Sequence, residues 1–266
     1  MKKELLLSAL AGICFLGACG TSGEKEPQST AEPVINTPAA ETAQPSAEPA
    51  HARLTYLGHA SVRIVTPEEK VIYIDPYAGE GYDLPADLIL ITHDHYDHNA
   101  PEKISETNPD CRTITWSDSL AGGSHQSFDL GYATVRSTQA GNNPNHSITE
   151  CVGYILTLSD GTVLYFSGDT SETEEMASLS EEHIDYAFLC CDGVYNMDLE
   201  EAGHCADLIQ AAHTIPYHTV TPDTGLFDAE RAAAFPSDTL LVLKDGQEIT
   251  VDSSRGTIYS GHASVL

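Results

Sequence analysis

Residues 92–98 read Thr92-His93-Asp94-His95-Tyr96-Asp97-His98, which places three imidazoles and two carboxylates within six consecutive positions. Burying so many ionisable groups without partners is costly, so the segment is not core filler. It is either a solvated loop or a set of side chains that converges on a cation. Imidazole and carboxylate together suit zinc, manganese or iron, and the lack of a nearby thiolate argues against a structural zinc knuckle. The apolar run Leu88-Ile89-Leu90-Ile91 stands directly before the cluster. A buried strand would therefore carry these groups to the edge of a sheet, where several can point into one cleft.

The elements that must position them are strand-like runs broken by turn residues. Residues 53–57, 62–65 and 71–74 form a meander, and 87–92 is the compact apolar strand before the cluster. Residues 132–137, 152–158 and 163–166 follow, the last two joined by the hairpin turn Ser159-Asp160-Gly161-Thr162. Tyr186-Ala187-Phe188-Leu189 is a buried strand ending in Cys190-Cys191. The spacing predicts a helix over 172–179, capped by Ser171 or Thr170, and another over 199–212. Strands at 240–243 and 248–251 flank the tight turn Asp245-Gly246. Mixed strands with interspersed helices predict a layered α/β or α+β domain.

The chain has 266 residues, with 12 Lys+Arg against 40 Asp+Glu and a formal charge of −28. Residues 51–266 keep nine of the bases and 34 of the acids. Such a surface repels phosphate backbones and anionic headgroups, which excludes nucleic acid as a partner, and it tolerates divalent cations. Residues 1–19 have a Lys2-Lys3 n-region, an apolar stretch and Leu16-Gly17-Ala18-Cys19, the pattern of a bacterial lipobox with Cys19 as lipidated N-terminus. Residues 20–50 are rich in Pro, Ala, Thr, Ser and Glu and lack aromatics, as a disordered tether does. The folded domain is then 51–266, held outside the cytoplasmic membrane by acyl chain alone. Of its five cysteines, Cys111, Cys151, Cys190, Cys191 and Cys205, most read as small buried hydrophobes.

The cluster and its companions resemble the metallo-β-lactamase superfamily. Strand-Thr-His-x-His-x-Asp-His is that superfamily's signature, and Tyr56-Leu57-Gly58-His59-Ala60-Ser61, Asn145-His146 before Val152-Gly153-Tyr154, Phe166-Ser167-Gly168-Asp169-Thr170 and Ile215-Pro216-Tyr217-His218 fall in its order. The Gly-His-Ala-Ser and Gly-Asp-Thr segments, with Tyr195-Asn196-Met197, Glu200 and Ala202, look most like the branch containing L-ascorbate-6-phosphate lactonase and metal-dependent hydrolases. The resemblance implies a four-layer αββα sandwich. It also implies two divalent cations, zinc or manganese ahead of iron. His93, His95 and His146 would hold one, Asp97, His98 and His218 the other, and Asp169 would bridge them. Asp97 and His98 are the residues it implicates in catalysis, and the second histidine disfavours a penicillinase.

Alternatives stand beside several of these assignments. His125 also lies between the cluster and Asp169, but His146 is preferred because Val152-Gly153-Tyr154 follows it. Asp169 can instead cap the following helix, and His218 can be an exposed loop histidine. His59 and Asp75 resemble positions that orient ligands. His204 and His213 read as ordinary helix or helix-end residues, and Gly261-His262-Ala263-Ser264 as a chance repeat of 58–61. No phosphate clamp is legible, since only Arg63 stands next to a motif. The expected function is hydrolysis of an ester, lactone or phosphodiester bond of a small substrate by metal-activated hydroxide. The alternative is a non-catalytic metal-binding or sensing lipoprotein.

Overall fold

The computed structural model describes residues 51–254. The signal, lipobox and tether assigned to 1–50 and the tetrapeptide at 261–264 lie outside the described residues. Among the described residues, twelve strands form two six-stranded mixed sheets. The first sheet contains β1 (Ala52–Gly58), β2 (Ser61–Val65), β3 (Val71–Ile74), β4 (Ala86–Leu90), β5 (Thr107–Ile114) and β12 (Gln247–Val251), in the order β12-β1-β2-β3-β4-β5. The second contains β6 (Ser127–Asp129), β7 (Ala133–Gln139), β8 (Val152–Leu158), β9 (Val163–Phe166), β10 (Tyr186–Cys190) and β11 (His213–Tyr217), in the order β11-β10-β9-β8-β7-β6. Each sheet is an antiparallel meander extended by parallel pairings, β3–β4–β5 in one and β9–β10–β11 in the other.

Side-chain alternation assigns the faces of the first sheet. Leu54, Tyr56, Ile72, Ile74, Leu88 and Leu90 point into the core shared with the second sheet, while Leu57, Val71, Tyr73 and Ile89 point away. This period of two explains why short runs as apolar as 71–74 and 86–90 can serve two cores at once. The outward face is covered by the segment carrying Tyr82 and Leu84 and by Ile104, which follows a single 3₁₀ turn at Pro101–Lys103. Helix α1 (Trp116–Ser119) is one turn long, and α2 (Leu199–Ile209) packs Ala202, Cys205 and Ile209 into the larger core. A third short helix, α3 (Ala229–Ala233), follows β11. The predicted layered sandwich of two mixed sheets with flanking helices is what forms. No helix of the described residues is long and apolar enough to cross a membrane.

Three predicted elements differ. The segment read as a helix over 172–179 is a 3₁₀ run, Glu174–Glu182, entered from Thr173. Thr170 and Ser171, the expected caps, instead tie to the neighbouring loop through Thr170 Oγ1 and Ser171 N, both bonded to the Gly141 carbonyl. Helix α2 stops at Ile209 because Gln210 takes a left-handed conformation, and His213 already belongs to β11. The predicted strand at 240–243 is reduced to one bridge, Thr214 with Leu240. Thr214 exchanges bonds with Thr239 and Leu241, but the next donor toward that edge is Pro216, which has no N–H. Strand β5 escaped the sequence reading because it is an edge strand, mostly exposed, with Pro109 inside it. The five cysteines of the domain are all free, and all but Cys111 are buried.

Topology places one set of strand ends together. Strands β1, β3 and β4 run in one direction in the first sheet, and β7, β9, β10 and β11 share a direction in the second. The carboxyl ends of these strands are where ligands bind in parallel sheets. Close packing at this end constrains Gly153 in β8: a Cβ there would stand 2.6 Å from Thr138 Oγ1 and 2.8 Å from the Phe166 carbonyl. Gly153→Ala is expected to destabilise the protein by about 1–3 kcal/mol, the usual cost of overpacking a core, measured by urea denaturation.

Candidate metal centre

The loops leaving those strand ends carry the seven candidate ligands together with His59 and Asp75. His59 follows β1, Asp75 follows β3, the 92–98 cluster follows β4, and Asn143 and His146 lie beyond β7. Asp169 follows β9, Asp192 follows β10, and His218 follows β11. Three of these residues, His59, Asp75 and His218, have positive φ of 51°, 44° and 44°. A left-handed backbone at a residue with a side chain is strained, and it persists where packing around it is over-determined. Here it turns each side chain back across the strand ends.

Three groups of candidate ligand atoms lie within 4.8 Å of one another: His59, Asp97, His98 and His218; His93, His95 and His146; and His93, His98 and Asp169. The seven residues that the resemblance implied are thus brought together, with His59 beside Asp97, His98 and His218 and a third group that joins His93 and His98 to Asp169. Asp169 stands between them. Its Oδ1 is 3.3 Å from His98 Nε2, and its Oδ2 is 3.3 Å from both His146 Nε2 and His218 Nε2. Thr173, not Asp169, is the residue before the 3₁₀ run. His125 lies apart, its ring nitrogen 3.2 Å from Ser137 Oγ. His218 is buried rather than an exposed loop residue.

A single carboxylate fixes how two of the rings present their nitrogens. Buried Asp75 accepts from Thr92 N at 2.8 Å and Thr92 Oγ1 at 2.7 Å, and its Oδ2 lies 2.9 Å from His98 Nδ1. Asp75 Oδ2 accepts from His98 Nδ1, which turns His98 Nε2 toward the cluster. Thr92 Oγ1 spends its hydrogen on Asp75, so it accepts from His93 Nδ1 at 3.1 Å, leaving His93 Nε2 unprotonated and turned inward. Asn143 Oδ1, already accepting from His146 N, faces His146 Nδ1 at 3.2 Å with the same result. Such partners orient imidazoles for cations. Asp97 in turn lies 3.0 Å from His59 Nε2, and the His59 ring packs 3.7 Å from that of His218.

Electrostatics agree with a cation at the centre of the cluster. Burial holds His93 well below its ordinary pKa, reinforced by the neighbouring His98, and burial lowers His146 likewise and His59 to about 4. Burial also opposes charge on His98 and His218, but Asp169 outweighs it and raises both. Asp97 and Asp169 pay a burial penalty yet remain well below the usual carboxylate range, held there by His59 and by His218 and His98 respectively. The buried Nε2 atoms of His93, His98 and His218 and Oδ1 of Asp169 make no hydrogen bond. Orphaned buried polar atoms of this kind cost about 1–3 kcal/mol each, and a shared cation satisfies them together. A donor set of nitrogen and oxygen without sulfur fits zinc, manganese or iron.

Two participants, Asn143 and Asp192, are not recognised from sequence. Asp192 is buried, with Oδ2 3.5 Å from His218 Nδ1, while Oδ1 accepts from the amides of Val194 and Tyr195 and Oδ2 from Asn196 Nδ2. The available signal was an acid following directly on the apolar strand 186–190. Asp75→Asn is expected to lower cation affinity by about 10- to 100-fold while leaving the fold intact, measured by competitive chelator titration beside circular dichroism.

The comparisons with known proteins agree with this geometry. A family profile described as Beta-lactamase superfamily domain matches residues 53–218. A UPF0173 metal-dependent hydrolase of Geobacillus sp. is 31% identical over 229 residues, covering 74% of this chain and 99% of that protein. A second protein of that name, from Nitratidesulfovibrio vulgaris, is 28% identical over 235 residues, covering 76% of this chain and 97% of its own. Among solved structures, the metallo hydrolase Igni18 of Ignicoccus hospitalis shares the fold, with a TM-score of 0.56 at 21% identity over 76% of this chain and 98% of that one. The relatives are named as enzymes, which sets aside the non-catalytic alternative. This chain belongs to the UPF0173 family of metal-dependent hydrolases within the metallo-β-lactamase superfamily.

Proposed function

We propose that the protein hydrolyses an ester, lactone or phosphodiester bond of a small molecule with two divalent cations, zinc or manganese ahead of iron. His93, His95 and His146 would hold one cation, Asp97, His98 and His218 the other, and Asp169 both. The observation that carries this is the position of Asp169, whose two oxygens face members of both trios at 3.3 Å. When bound, paired cations lower the pKa of a water and polarise the oxygen of the scissile group. The chain's own residues prepare that chemistry. Asp75, Thr92 and Asn143 keep imidazole lone pairs turned inward, and the carboxylates of Asp97 and Asp169 offset the cationic charge. His59 holds Asp97 in place from behind. A cleft of about 390 Å³ opens beside His95, Asp97, His146, Asp169 and His218, a volume suited to a small substrate.

The Gly58-His59-Ala60-Ser61 and Gly168-Asp169-Thr170 segments support a place near the lactonase-containing branch. The Leu16-Gly17-Ala18-Cys19 pattern supports display outside the cytoplasmic membrane on a lipid anchor at Cys19. Protein purified without chelator is expected to carry about two equivalents of transition metal by elemental analysis, lost in a folded His93→Ala/His98→Ala variant. Turnover of a lactone, ester or phosphodiester panel should vanish with chelator and return with zinc or manganese. Metal unchanged in the variant would remove the site from the cluster. For the anchor, Cys19→Ser is expected to move the protein from the membrane to the soluble fraction on cell fractionation.

A further inference from the structure

The mouth of the cleft has an unusual surface for so acidic a protein. Among the described residues, the exposed large hydrophobic side chains are Tyr96 (62%), Ile148 (40%), Val194 (63%) and Tyr195 (44%). All four stand on loops that also carry members of the cluster or Asp192. Tyr96 and Tyr195 line the cleft itself, one from the loop after β4 of the first sheet, the other from the loop after β10 of the second. Exposed aromatics concentrated at one place, on a protein that otherwise buries its apolar side chains, mark a binding surface.

The Tyr96 ring and the backbone that carries Tyr195 are held by contacts that do not involve a substrate. Tyr96 packs edge-on to Tyr77 at 5.9 Å between centroids. The loop of Tyr195 is fastened three ways: Asp192 accepts from the Val194 and Tyr195 amides, Asn145 Nδ2 donates to the Tyr195 carbonyl at 3.3 Å, and Arg231 Nε donates to the Cys191 carbonyl. Rigid aromatic walls lose little entropy when they receive a flat ligand.

The charge of the cleft is one-sided. Its lining holds Asp97, Asp169 and Asp223 but neither lysine nor arginine. The nearby cations are occupied elsewhere: Lys103 donates to the Tyr77 carbonyl at 2.5 Å, Arg63 to the Gly81 carbonyl at 2.9 Å, and Arg231 as above. Away from the cations, a phosphate monoester or a carboxylate is held most strongly by a guanidinium, an ammonium or convergent backbone N–H groups. Beyond the metal ligands, Asp223 is the charged residue of the lining, and it repels an anionic group that lies away from the cations.

We propose that the cleft selects small substrates whose portion away from the scissile bond is flat, apolar and free of negative charge, seated against Tyr96 and Tyr195. Tyr96 and Tyr195 are then the residues that determine specificity. This rests on the hydrolase reading of the metal centre, and it narrows the substrates to those with no phosphate outside the scissile bond.

The test is calorimetric titration of the full-length, zinc-loaded protein with three hydroxamates, which share one metal-binding group. Benzohydroxamate is expected to bind about tenfold tighter than its 4-carboxymethyl derivative and about fivefold tighter than acetohydroxamate, at low ionic strength. Tyr96→Ala and Tyr195→Ala should each reduce the advantage of the ring with zinc content unchanged, and Tyr195→Phe should retain it. Equal or tighter binding of the carboxymethyl derivative overturns the proposal, as does a ring advantage that survives both alanine variants. Zinc content of the same samples keeps the two readings apart. A wild-type protein that takes up no zinc counts against the metal centre, whereas full uptake without these preferences counts against the substrate class.

Discussion

The carboxylate of Asp75 is buried at the junction of β3 and β4, and the order of the metal centre runs through it. It accepts from the backbone and hydroxyl of Thr92 and from His98, so one carboxylate sets the course of the chain leaving β4 and the orientation of two histidine rings. Its own backbone is part of the same joint: Asp75 N donates to the Leu90 carbonyl, and Ser61 Oγ donates to the Asp75 carbonyl at 2.6 Å. The turn after β1, the end of β3 and the end of β4 therefore meet at one residue. A buried carboxylate is expensive unless each lone pair is used, and that requirement makes the arrangement specific.

The two sheets divide the remaining work. The first supplies the dense cluster 93–98 on a single loop, while the second supplies His146, Asp169 and His218 from three different strand ends. Neither sheet alone assembles the centre, so packing between them is a condition of function. The residues that face both sheets, Asp97 and Asp169, are the ones whose negative charge is most strongly favoured by neighbouring imidazoles. The same organisation holds at the mouth of the cleft, where each sheet contributes one exposed tyrosine.

Much of this was legible in the chain. The cluster at 93–98 stands out by residue type, the full set of seven metal-site candidates is what the family resemblance implies, and the fold brings all seven together. Strands 71–74, 152–158 and 163–166 were bounded as they form, because buried apolar runs between turn residues leave little freedom. The edge strand β5 was invisible because its side chains are solvated and carry no alternation. The helix read over 172–179 and the strand read over 240–243 went astray for a different reason. Local propensity favoured both, but backbone bonds to Gly141 and the missing N–H of Pro216 decided otherwise.

Sequence by itself determined the chemistry: which donors are present, that they are nitrogen and oxygen, and that an acidic domain would welcome cations. These are properties of residue types and of short spacing, which survive without coordinates. The tertiary structure alone decided which atoms face one another. It turned His59, Asp75 and His218 through left-handed backbone, recruited Asp192 behind His218, and assigned each imidazole its inward nitrogen. Those outcomes depend on contacts between residues tens of positions apart, whose distances are set by sheet register and by packing between sheets. Local sequence does not encode them one residue at a time.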